Sequence, residues 1–114
     1  MKFYYFDLYA RGEPIRMALH KAGVEYEDVR PTGESWAELK GSGKLDFGQM
    51  PALELDDGTV LVQGLAILNY LGAKHNLMPA DPLERYHGES FALYAMEDMF
   101  AGKVAYAIYR APED

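Results

Sequence analysis

Residues Lys2 to Arg16, KFYYFDLYARGEPIR, decide how the rest of the chain is read. Phe3, Tyr4, Tyr5, Phe6 and Leu8 favour a buried strand, a polar turn follows, and Pro14 suits the first turn of a helix, where its missing N–H costs nothing. A tyrosine near the end of such a strand can present its hydroxyl to the crevice beside the following helix, where open α/β sheets bind ligands. Tyr5 is therefore the lead chemical residue. With nine tyrosines in the chain, any one taken alone is more often a core aromatic, so its neighbours must carry the case.

Working outward, Ile15, Ala18, Leu19 and Ala22 recur at helical spacing and Gly23 stands where a left-handed cap would close the helix, which predicts a helix from Glu13 to Ala22. Val24 to Arg30 partly alternates apolar and polar residues, as in a strand with one buried face. Strand, helix and strand in this order imply a right-handed crossover to a parallel neighbour. Pro31 to Gln49 is rich in glycine and charge, interrupted by a short helix over Ser35 to Lys40 that carries the only tryptophan, Trp36. It is the loop best placed to fold over a ligand. Met50 to Leu55 and Thr59 to Val62 form a hairpin through Asp56, Asp57 and Gly58, where the turn demands positive φ angles. Pro51 lacks a sheet donor, so a strand end or a cis bond suits it. A helix follows Gln63 and Gly64, with Leu65, Leu68 and Leu71, joined by Ile67 and Tyr70, turned toward a core.

The order is thus α/β, a βαβ-α-ββα unit with helices packed on a four-stranded sheet, over residues 1–78. Asp81-Pro82-Leu83-Glu84 then opens a further helix with an N-cap, a proline and an acid in the first turn. It is expected to reach about Tyr109, roughly 40 Å at about 1.5 Å per residue. Phe91, Leu93, Tyr94, Met96, Met99, Phe100, Val104 and Ile108 give it a wider apolar surface than one small domain can cover. Either further helices or another chain should lie beside it.

Composition narrows the chemistry. Eleven basic against eighteen acidic side chains, a net charge of −7, argue against nucleic acid or an anionic membrane surface as partner. The chain has no cysteine, so disulfides, thiolate metal sites and a protein-borne thiol nucleophile are excluded, and any thiol chemistry must come from a substrate. No run approaches a membrane span or a signal-peptide core, and a cytoplasmic address is the simplest expectation. His20, His75 and His87 are scattered without ligand spacing.

Taken together, YFDLYARGEPIR (Tyr5 to Arg16), SWAELK (Ser35 to Lys40), FGQMPALELDDG (Phe47 to Gly58) and QGLAILNYL (Gln63 to Leu71) resemble the cytosolic glutathione S-transferases, and within them the sigma-like, tyrosine-dependent class. The resemblance covers nearly all of residues 1–78. It implies a thioredoxin-like N-terminal domain, with residues 79–114 forming the linker and first helix of a truncated all-helical C-terminal domain. Tyr5 then matches the catalytic tyrosine whose hydroxyl donates to the sulfur of glutathione. A free thiol titrates near about 8.5, and a donor aimed at the sulfur favours the attacking thiolate. Arg11 matches a residue that supports this thiolate electrostatically.

The remaining roles follow from the same resemblance. Trp36 and Lys40, four apart and so on one helical face, are implied to hold the glycine end of glutathione. Met50 offers backbone pairing to its cysteinyl part, the following Pro51 is cis, and Gln49 is a weaker contact. Gln63 and Gly64 receive the γ-glutamyl carboxylate at a helix N-terminus, where backbone N–H groups and the helix dipole favour an anion. Gly64 departs from the serine or threonine usual there, and the lost hydroxyl implies weaker binding. Asp98 matches an acid that reaches across a homodimer to the amino group of glutathione, although a solvated helix face fits Asp98 and Glu97 equally well. Tyr94 stands where metal-binding members carry an acid, so no metal is expected.

The implied function is a glutathione transferase that turns the thiolate on a small hydrophobic electrophile, by conjugation, peroxide reduction or isomerisation of the prostaglandin type, with detoxification as the general role. The alternative is a non-catalytic glutathione-binding or crystallin-like structural protein on the same scaffold, toward which Gly64 and the short chain lean. A thioredoxin-like redox protein fails for want of a cysteine. The chain ends near the close of its first long helix, which leads us to expect a fragment of a longer protein.

Overall fold

The computed structural model describes residues 1–97 of the 114-residue chain. The chain divides into two compact units with the boundary between Leu77 and Met78. In the first, strand β1 (Lys2–Tyr4) leads through a 3₁₀ turn (Ala10–Gly12) into helix α1 (Glu13–Lys21), then β2 (Glu27–Val29), α2 (Gly33–Gly41), the hairpin β3 (Ala52–Glu54) and β4 (Val60–Val62), and α3 (Gly64–Lys74). The sheet order is β2-β1-β3-β4. β1 runs parallel to β2 and antiparallel to β3, with Phe3 opposite Asp28 on one side and Leu53 on the other.

Alternation along β1 and β3 divides the core between the two faces of the sheet. Phe3, Tyr5 and Leu53 join Ile15 and Leu19 of α1 and Ile67 and Leu71 of α3. Tyr4 and Ala52 face the other way, with Leu45, and Trp36 and Leu39 of α2 pack there. Phe3, Ile15, Leu19, Leu53, Ile67 and Leu71 are wholly buried, each contributing about 1.5–3 kcal/mol of apolar transfer.

The ends of the elements show why the sequence stops them where it does. α1 closes in the expected left-handed cap: Gly23, at φ 69°, donates to His20 O at 3.0 Å and Val24 to Leu19 O at 3.1 Å, satisfying last-turn carbonyls. The hairpin turn is a three-residue loop rather than a pair of positive-φ residues. Gly58 donates to Leu55 O at 3.0 Å, Leu55 donates to Thr59 O at 2.8 Å, and only Gly58 takes positive φ, at 89°. That is a turn followed by a glycine bulge, for which one left-handed residue suffices.

Three expectations need adjusting. β2 is shorter than Val24 to Arg30, and none of its residues is buried because it is the edge strand of the sheet. α2 extends beyond Ser35 to Lys40 at both ends, started by Thr32, whose backbone N–H donates to Ser35 Oγ at 2.9 Å. On α3 the buried stripe is Gly64, Ile67 and Leu71, with Leu65 and Leu68 only half-buried. A helix so apolar on several sides has a weakly marked phase in the sequence.

The second unit opens with α4 (Pro82–Leu93), and residues 94–97 continue it in a wider, π-type turn. Asp81 caps it, its carboxylate accepting from Leu83 N at 3.1 Å and Glu84 N at 3.0 Å. Leu83, Tyr86 and Phe91 are exposed. The expected extension to Tyr109 lies outside the described residues. No helix among those described is long and apolar enough to cross a membrane.

Candidate active site

Tyr5 lies just beyond β1, its backbone N–H bonded to Val29 O at 3.1 Å so that the parallel ladder fixes its direction. The ring is buried, 6% exposed, and packs so closely on Gly12 that a Cβ there would meet ring carbons at 2.3–2.9 Å. Only glycine fits. The hydroxyl accepts a hydrogen bond from the Arg11 backbone N–H at 3.1 Å. Burial pushes this phenol above its ordinary value of 10.0, opposed by the Arg11 N–H and by the positive charges of Arg11 and Arg16. Near neutral pH it therefore keeps its proton, so that the hydroxyl is able to donate a hydrogen bond but not to act as a base.

From Tyr5 a row of side chains runs to α2. Phe6 meets Tyr5 edge-on at 5.9 Å and Trp36 edge-on at 5.4 Å. Lys40 Nζ stands 5.9 Å from the Trp36 ring centroid. Trp36 and Lys40 thus share a helical face, and the Lys40 stem lies 3.9 Å from where a Cβ on Gly48 would be, beside Gln49.

A second row runs across the start of β3 and α3. The Met50–Pro51 bond is cis, Pro51 is buried, and Met50 packs against both core clusters. Gln63 Nε2 donates to Gln49 Oε1 at 3.4 Å, bringing together two residues fourteen positions apart. Gln63 holds φ 73° and ψ 113°, a backbone region that non-glycine residues rarely occupy, immediately before Gly64 opens α3. Gly64 is buried. Gln63 thus stands at the helix start that the sequence predicts, in a positive-φ backbone that no sequence signal marks. Asp98 lies outside the described residues. Among those described, no group of three His, Cys, Asp or Glu could hold a metal.

Two residues to which the sequence assigns no role pack against Tyr5. One is Gly12, described above. The other is Arg16, buried in α1 with its guanidinium 5.7 Å from the Tyr5 ring centroid. A cation between Ile15 and Leu19, on the side of α1 that periodicity assigns to the core, was the available signal.

A mixed sheet in this order, with helices on both faces, a tyrosine at the end of the first strand and a cis-proline before the third, is a thioredoxin-like α/β domain. Residues 1–73 match the family described as glutathione S-transferase, N-terminal domain, and the chain belongs to that family. It is 44% identical over 89 residues to glutathione S-transferase 1 of Ascaris suum, an alignment covering 78% of this chain and 42% of that one. It is 39% identical over 114 residues to glutathione S-transferase A4 of Mus musculus, covering 99% and 50% respectively. Among solved structures, a monomeric glutathione S-transferase of the hookworm Necator americanus superposes with a TM-score of 0.83 at 30% identity, over 99% of this chain and 55% of that one. The chain thus spans about half the length of the relatives it matches.

Proposed function

We propose that this chain is the glutathione-activating part of a tyrosine-dependent, sigma-like, cytoplasmic glutathione transferase. In this reading Tyr5 donates its O–H to the sulfur of glutathione and so lowers the thiol's pKa. The thiolate then attacks a small hydrophobic electrophile. Displacement of a leaving group is the primary reaction, and peroxide reduction and isomerisation draw on the same thiolate. One observation carries the reading: the Tyr5 hydroxyl accepts from the Arg11 backbone N–H, an arrangement that leaves its proton for a substrate. Arg11 adds positive charge beside the thiolate.

In the same reading Lys40 pairs with the glycine carboxylate while Trp36 flanks it. The Met50 backbone, turned by Pro51, pairs with the cysteinyl unit, with Gln49 beside it. Gln63 and the N–H groups at Gly64 receive the γ-glutamyl carboxylate. Asp98 meets the amino group from the partner in a homodimer, no metal takes part, and residues 79–114 begin an all-helical second domain. Because one structural neighbour is monomeric, sedimentation of the chain with and without glutathione tests the dimer. A second reading, glutathione binding without catalysis, is favoured by Gly64, which offers no side-chain hydroxyl to the carboxylate.

The experiment is the rate of thioether formation from glutathione and an aryl halide, compared with the Tyr5→Phe variant. A drop of about 100-fold supports the transferase, in line with the loss of one donor to a developing anion. Equal rates with glutathione still bound support the second reading.

A further inference from the structure

Arg16 is the one charged side chain that is buried among the described residues, at 6% exposure. A buried guanidinium is tolerated only when paired and hydrogen-bonded, so its partners state what it is for. Nη1 donates to Leu8 O at 2.9 Å, Nη2 to Phe6 O at 3.2 Å and Nε to Asp28 Oδ1 at 3.2 Å, with Glu13 Oε2 at 3.6 Å from Nη1. The other oxygen of Asp28 pairs with Arg30 Nη2 at 2.8 Å, and Arg30 Nη1 reaches the Asp7 carboxylate. The charge chain Arg16–Asp28–Arg30–Asp7 therefore takes hold of Phe6, Asp7 and Leu8, the three residues directly after Tyr5. Those residues lead into the 3₁₀ turn whose Arg11 N–H meets the Tyr5 hydroxyl at 3.1 Å.

We propose that Arg16, oriented by Asp28, is a positioning residue that sets the loop after β1 so that the Arg11 N–H is delivered to the Tyr5 hydroxyl. This deepens the reading of Tyr5 as the donor to the thiolate, and rests on it. The carbonyls of Phe6 and Leu8, with one residue between them, are held by one planar fork, a geometry that a lysine ammonium does not reproduce. Asp28 comes from the edge strand, so through it the sheet, α1 and the loop are fixed to one another. The charged groups acting on the Tyr5 hydroxyl are Arg11 from the 3₁₀ turn and Arg16 from α1, and both favour its ionised form.

The test uses the 114-residue chain with Arg16→Lys or Asp28→Asn, each also made together with Tyr5→Phe, so that the Tyr5 titration is obtained as a difference in tyrosinate absorbance. The Tyr5 midpoint should rise in both variants, more in Arg16→Lys. Conjugation at saturating glutathione should fall about tenfold to hundredfold in Arg16→Lys, while the glutathione Kd by calorimetry stays within about a factor of two. Asp28 is on the edge strand with its side chain 30% exposed, so Asp28→Asn gives a folded variant should Arg16→Lys lose the fold. An unmoved Tyr5 midpoint in a folded variant overturns the proposal, as does a Kd that weakens in step with the rate. If the parent chain does not conjugate at all, a midpoint that moves still shows the positioning role, and the functional reading alone fails.

Discussion

Tyr4 and Tyr5 are neighbours in sequence, about equally buried, and chemically opposite. Tyr4 faces α2 and its hydroxyl donates a hydrogen bond to Glu54 Oε2 at 2.6 Å, while Lys44 Nζ donates to its oxygen at 3.3 Å and pairs with Glu54 at 2.7 Å. Tyr5 faces α1 and α3, and its hydroxyl accepts from a backbone N–H. Burial raises both phenols, reinforced at Tyr4 by the hydrogen bond to Glu54 and countered at Tyr5 by Arg11. One residue's step along a strand thus separates a tyrosine whose proton is committed to a carboxylate from one whose proton can serve a ligand. Tyr4 ties the segment before β3 to the sheet, while no such carboxylate engages the Tyr5 hydroxyl proposed to serve glutathione.

The largest way to break this contrast is Gly12→Ala. Its methyl would meet the Tyr5 ring at 2.3 Å, the three atoms nearest to it all belonging to that ring. Overpacking should cost about 1–3 kcal/mol in denaturant unfolding and displace the hydroxyl, abolishing conjugation in whatever fraction folds. Survival of both stability and activity would mean that Tyr5 is not held as described.

A smaller effect sharpens the other side. Lys44 and then Tyr4 hold the Glu54 carboxyl below its ordinary value of 4.5. A depressed carboxyl contributes stability above its unfolded value that is lost as pH falls through the folded one. The Glu54→Gln variant should therefore be less stable than the parent near neutral pH, with the gap closing below pH 4.5. Urea midpoints measured across that range check this, and a gap that is constant with pH contradicts it. The conjugation rate should barely change, since Tyr5 has no part in this cluster.

The smallest effect belongs to a site touching neither tyrosine. Gln63→Gly relieves the backbone at φ 73° and should stabilise the fold by up to about 1 kcal/mol, seen as a raised Tm. The same change removes a proposed glutathione contact, so affinity by calorimetry should drop while Tyr5 titrates as before.

How much of this was legible can be judged from particular residues. The aromatic run before Pro14, the Ile15 and Leu19 spacing, Gly23 and the Asp57-Gly58 turn carry enough local signal to give the order of elements and the α/β class, while the thioredoxin-like fold was implied by the resemblance of four segments. Tyr5 stood out by its place at the end of the first strand and Pro51 by its missing sheet donor, whereas the roles of Trp36, Lys40, Gln49, Met50, Gln63 and Gly64 came through the match of four segments. What stayed hidden depends on contacts between distant segments. Arg16 had no assigned role, because the carbonyls that hold it belong to a loop without regular structure. The division between Tyr4 and Tyr5 needs the strand's register, which only pairing with β2 and β3 supplies. The phase of α3 was blurred by its own hydrophobicity, and the shortness of β2 follows from its edge position.

The most direct test of the central claim is the ultraviolet absorbance of the glutathione thiolate, titrated with pH when bound to the chain, to Tyr5→Phe and to Tyr4→Phe. The account predicts that the bound thiol ionises below its value in water on the parent chain and on Tyr4→Phe, and returns toward about 8.5 on Tyr5→Phe. A thiol that ionises equally early without the Tyr5 hydroxyl, or that loses its shift when Tyr4 is changed, would contradict it.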